Sequence, residues 1–125
     1  MKKNDAPVYI TGLGALHCLG VGVPSLWQGV IQRQTGIKNG LGLITDEALA
    51  KTEPLLQDSP FKKTSRALYQ DPKKHRPLIM SLVAIREAFL QAGWDQLSNK
   101  DAIIFATTTG YISLWEDHLT SYSQG

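Results

Sequence analysis

At 125 residues the chain has room for one domain and none for a second. Its 42% hydrophobic and 19% charged residues exclude wholesale disorder, and a formal charge of +2 gives no electrostatic case for nucleic-acid binding. The single cysteine excludes an intramolecular disulfide and a multi-thiolate zinc site, so neither a metal nor a cofactor is expected.

Val8, Tyr9, Ile10 and Thr11 are β-branched or aromatic and run into Gly12, which predicts a buried strand entering a tight turn. Lys2 and Lys3 precede this stretch, but Gly12, Gly14, His17 and Gly20 interrupt its apolar character, so it is not a signal-peptide core. No run approaches the roughly 18 apolar residues a membrane span requires. The expectation is a cytoplasmic protein without membrane contact.

After the glycines at 12, 14, 20 and 22, Leu26, Trp27, Val30 and Ile31 recur at helical spacing and predict a helix over 25–34, ended by a left-handed Gly36. Residues 36–77 hold prolines at 54, 60, 72 and 77 and many polar side chains, with little periodicity. Over 78–92 the apolar positions almost encircle a helix, interrupted by Ser81, Arg86, Glu87 and Gln91, with Gly93 as its stop. Such a helix is expected to be buried on most sides. Ala102, Ile103, Ile104, Phe105, Ala106 and Thr107 then form a continuous apolar run of the kind found in strands covered on both faces. A last helix is expected beyond Gly110, with Ile112, Leu114, Trp115 and Leu119 on one face. The order strand, helix, loop, helix, strand, helix is an α/β pattern with at least one parallel crossover.

Gly12, Leu13, Gly14, Ala15, Leu16 and His17 invite comparison with the glycine turn that cradles pyrophosphate in dinucleotide folds. His17 stands where a third glycine belongs, and Gly20, Gly22 and Pro24 postpone the helix that would aim its amides at phosphate. A structural turn is the better reading.

The same residues carry a resemblance. Residues 8–16, with Leu19-Gly20, Leu26-Trp27 and Thr35-Gly36-Ile37, are similar to the opening signature of β-ketoacyl synthases: a VVVTGLG strand and turn, a loop ending in LG, a tryptophan-containing helix, and SGI. Residues 84–93 resemble the family's AxxEALxxAG helix, and the strand leading to Thr109 and Gly110 takes the place of its GTG turn, although Tyr111 stands where a further glycine is common. The order and approximate spacing hold over essentially the whole chain.

The resemblance implies part of a thiolase-like, layered αβαβα architecture, in which a cysteine accepts an acyl chain from a carrier protein and condenses it with a decarboxylated malonyl unit. In the family that cysteine lies in a TACxS-like motif after the next strands, with the catalytic histidines further on, so residues 1–125 are expected to be a single N-terminal domain with no catalytic residue. Thr109 and Gly110 would fall beside the acyl pocket. Related synthases dock acidic acyl carrier proteins on basic residues just before the 84–93 helix, which makes Lys73, Lys74 and Arg76 the docking candidates; the plain alternative is a solvated charge cluster.

Cys18 follows His17 directly, but neighbours in an extended loop point apart, and a structural thiol is preferred over a nucleophile. His75 and His118 read as solvated polar positions, and Trp27, Trp94 and Trp115 as core or interface anchors. Three functional classes follow: a non-catalytic synthase segment, a scaffold that binds an acyl carrier protein or a complete synthase, and, least favoured, a small nucleotide-binding protein. Two strands meant for burial on both faces need neighbours, so self-association or a chain supplying the rest of the fold is expected.

Overall fold

The structure, a computed structural model, describes residues 7–96, 98–104, 106, 119 and 122. Its organising element is the helix α5 (Arg76–Ala92), against which the strand β1 (Leu16–His17) and the helices α2 (Asp46–Ala50), α3 (Glu53–Gln57) and α4 (Lys62–Leu68) pack. Between them lie the strand β2 (Gly20–Val21), the helix α1 (Val23–Ile31) and the strands β3 (Ile37–Lys38) and β4 (Leu41–Gly42).

The C-terminus of α5 ends as its glycine predicts. Gly93 is left-handed at φ 71°, the amide of Trp94 donates to the carbonyl of Phe89 at 2.8 Å, and that of Gly93 donates to Leu90 at 3.2 Å. These two bonds are the Schellman pattern. Its usual apolar partner contact is present as well: the Phe89 and Trp94 rings meet edge to face at 5.7 Å, and Phe61 adds a tilted contact to Phe89 at 5.9 Å. At the other end the helix starts at Arg76, two residues earlier than the apolar pattern predicts, because Pro77 fits the first turn, where its missing amide proton is not needed.

The core is made by the short helices. Leu49 of α2, Leu56 of α3, Leu68 of α4 and Ile79, Leu82 and Val83 of α5 are buried, with Ile44, Phe61, Tyr69, Leu78 and Met80 packed around them. Thr52 is fully buried between α2 and α3; its hydroxyl donates to the carbonyl of Leu49 at 2.6 Å and lies 2.6 Å from the Tyr69 hydroxyl. Burial pushes the Tyr69 phenol above the ordinary tyrosine range, the Thr52 hydrogen bond opposes this, and the Glu53 carboxylate adds to the rise. Ser65, also fully buried, returns its hydroxyl to the carbonyl of Lys62 at 3.0 Å. Every buried hydroxyl here has a backbone acceptor, as burial demands.

Three expectations are corrected. Residues 36–77, where little periodicity was expected, contain a hairpin and three helices. The hairpin pairs Ile37 with Gly42 and Lys38 with Leu41 across Asn39 and Gly40, whose φ values of 51° and 78° are those of the primed turn that matches strand twist. Helices of five to seven residues span too few turns to display a period. The second correction concerns the predicted strands. Residues 8–11 and the described part of 102–107 form no ladder, and Val8, Ile10 and Ile104 are 96%, 82% and 95% exposed rather than buried. Their composition suits a strand, but nothing among the described residues pairs with them. Both sheets of the described residues are two-residue antiparallel pairs, so the parallel crossover is absent there. Third, α1 spans Val23–Ile31 instead of 25–34, and its end is marked by Arg33 at φ 53°, not by Gly36.

The described fold therefore mixes helices with small strand pairs. The longest helix among the described residues, α5, has 17 residues, and none of those described is long and apolar enough to cross a membrane.

Candidate functional site

The glycine turn rests on α5, and small residues let it do so. Residues 12–15 cross a stripe formed by Ala84, Ala88 and Ala92, one helical turn apart. A Cβ on Gly12 would fall 2.9 Å from the carbonyl carbon of Ala88, and one on Gly14 would fall 2.7 Å from that of Ala84. Only glycine permits this approach.

Two amides of the crossing segment are taken by side chains of α5. Leu13 donates to the Gln91 side-chain oxygen, and Ala15 donates to Glu87 Oε2 at 2.8 Å. The second carboxylate oxygen, Oε1, accepts from Val23 at 2.8 Å, the first residue of α1. Glu87 thus caps a helix N-terminus whose free amides and positive dipole end favour an anion. At this turn the Leu13 amide already faces a carboxamide oxygen and the Ala15 amide a carboxylate.

His17 and Ser25 meet beside this junction, and Cys18 follows His17 in sequence. His17 Nδ1 accepts from the Leu19 amide at 3.2 Å, which places the ring proton of the neutral imidazole on Nε2. Nε2 is 3.1 Å from Ser25 Oγ and 3.3 Å from the carbonyl of Gly22. In this tautomer Nε2 is a donor, so it orients Ser25 and cannot take its proton. The Ser25 hydroxyl is in turn 2.8 Å from the carbonyls of both Val21 and Gly22, as an N-terminal helix residue closing its own turn. The half-buried Cys18 packs its sulfur against Gly36, where an added Cβ would fall 2.6 Å away. No hydrogen bond joins it to His17, and the arrangement lacks the nucleophile–base contact that thiol catalysis requires.

The basic run occupies the approach to α5. Arg76 donates from Nη1 to the carbonyl of Ile44 and from Nη2 to Asp46 Oδ1, and Lys73 Nζ lies 3.7 Å from Asp46 Oδ2. Asp46 therefore gathers two of the three proposed docking cations at the start of α2. The Lys74 amide donates to Asp71 Oδ1 at 3.3 Å. His75 precedes the first turn of α5 and makes no side-chain cap there. Thr109 and Gly110, with Trp115 and His118, lie outside the described residues. Trp27 is exposed on α1, while Trp94 serves the cap of α5.

A cavity of about 410 Å³ lies between the β2–α1 junction, α3 and α5, walled by Val21, Pro24, Leu55, Val83 and Leu90 and edged by Ser25, Arg86 and Glu87. Arg86 Nη2 donates to the carbonyl of Asp58 at 2.9 Å, whereas its buried Nε has no hydrogen-bond partner. Both charged residues, Arg86 and Glu87, are visible in the sequence as adjacent charges interrupting an almost continuous apolar helix. That interruption was the available signal for this site, and its meaning depends on elements distant in sequence. No group of three or more His, Cys, Asp or Glu suited to hold a metal occurs among the described residues.

Compared with protein-family models, with curated proteins and with solved structures, the chain finds no match.

Proposed function

We propose that the chain is a non-catalytic, β-ketoacyl synthase-like N-terminal segment, whose work is to present a helical layer and two strand-like edges to a chain that completes a thiolase-like sheet. The observation that supports this reading most is the state of residues 8–10 and 103–104. They are β-branched or aromatic, belong to no helix or ladder and are exposed, with Val8 and Ile104 at 96% and 95%. Unpaired, apolar edge segments of this kind are covered in stable proteins.

The first of these edges is held in place. Immediately after it, Gly12 and Gly14 lock the chain onto α5, and Glu87 ties the same segment to α1.

The test is a condensation assay with acyl and malonyl carrier proteins and the purified chain. No turnover above the protein-free rate is expected. Turnover that disappears in Cys18→Ala would overturn the reading.

A further inference from the structure

We propose that the cavity between the Cys18–Leu19 loop and the β3–β4 hairpin is a binding site for a small organic anion with an apolar body. Its volume is about 410 Å³, in the range used for small organic ligands. Leu19, Leu41 and Leu43 supply its apolar wall, and Leu41 and Leu43 are exposed. An apolar body lying on them removes that surface from water. Cys18 completes the wall, with Gly36 and Gly42 so near that an added Cβ would fall 2.6 Å and 3.5 Å from its sulfur.

The polar side chains on this cavity have donors to give. The Lys38 ammonium forms no ion pair and no hydrogen bond among the described residues. The Thr35 and Thr45 hydroxyls accept from the amides of Ile37 and Ala48, each at 3.1 Å, and neither passes its own proton to an acceptor among the described residues. No carboxylate lines the cavity. A positive charge without a counter-ion and hydroxyl protons without acceptors are complementary to an anion.

The neighbouring charges leave that preference standing. Residues 7–45 contain the cations Arg33 and Lys38 and no acidic side chain. The next carboxylates along the chain are already engaged, Asp46 by Arg76 and Lys73 and Glu47 by Lys51 at 2.7 Å. The site draws on the described residues of this chain alone and does not depend on the synthase resemblance.

Cys18 is the chain's one cysteine, so its alkylation reports occupancy of this wall directly. The test follows the rate at which iodoacetamide modifies the full chain, by mass spectrometry, in increasing phenylpropionate and in parallel in phenylpropylammonium, which has the same apolar body and the opposite charge. Phenylpropionate is expected to protect Cys18 saturably and phenylpropylammonium to leave it reactive. Lys38→Met is expected to raise the half-protecting concentration of phenylpropionate about fivefold, the loss of one exposed charge contact. That concentration is compared rather than the rate itself, because removing the ammonium also changes the reactivity of the thiol. Absent or non-saturating protection by phenylpropionate, or equal protection by the two amphiphiles, would each overturn the proposal in the wild type alone, whether or not the variant folds. Unchanged half-protection in a folded Lys38→Met would do the same.

Discussion

Gly14 lies so close to Ala84 that a Cβ on the glycine would fall 2.7 Å from the alanine carbonyl carbon and closer still to its oxygen. The contact joins two positions 70 residues apart in sequence and fixes the glycine turn on the long helix. What looks in the sequence like a phosphate-binding loop is therefore a packing device, in which backbone meets backbone.

Gly14→Ala is expected to destabilise the chain by about 1–3 kcal/mol or more, as overpacking a close backbone contact does. Gly40→Ala is the control: Gly40 has a positive φ of 78° but nothing within 4 Å of an added Cβ, so its cost is limited to roughly 1–2 kcal/mol of left-handed strain. Urea unfolding of both variants measures the difference. A Gly14→Ala variant no less stable than Gly40→Ala would contradict the close approach.

The long helix α5 was legible because its signals are local, a near-continuous apolar run and Gly93 for the last turn, whereas Pro77, which fits the first turn, reads in the sequence as one of the loop prolines of 36–77. The hairpin at Asn39 and Gly40 was readable from the same kind of signal, an Asn-Gly pair between Ile37 and Leu41, but the surrounding polar residues obscured it. The core helices α2 to α4 were not legible, since each buries one or two residues and shows no period. Residues 8–11 and 102–104 show the opposite difficulty. Their β propensity is plain, yet a strand exists only where another strand pairs with it. Of the site, Arg86 and Glu87 stood out as charges in an apolar helix, whereas the cavity and the capped α1 arise only when segments 60 or more residues apart meet.

Glu87→Gln is expected to cost about 1–3 kcal/mol. The carboxylate accepts two backbone amides, one on each oxygen. A glutamine keeps one acceptor and turns a donor toward the other amide, leaving Ala15 or Val23 unpaired at a half-buried position. Thermal unfolding, with amide exchange at Ala15 and Val23, measures the effect; unchanged protection at both amides would contradict the capping role.

Stability is expected to fall on the alkaline side through Tyr69. Burial raises its phenol above the unfolded value, so the unfolded chain ionises first. The contribution is fully present below the unfolded tyrosine pKa of about 10 and is lost as pH rises through the higher folded value. Urea midpoints followed upward from about pH 8 should decline more steeply in the wild type than in Tyr69→Phe. Parallel declines would show that Tyr69 does not carry the effect.

The central claim is that residues 8–10 and 103–104 are edges awaiting a cover, and sedimentation equilibrium of the purified chain tests it most directly. With no completing chain present, the account predicts concentration-dependent association above the 13.8 kDa of one copy, reduced to a single copy in an Ile10→Lys, Ile104→Lys double variant. A wild-type chain that remains at 13.8 kDa at every concentration and unfolds in one cooperative step would contradict it.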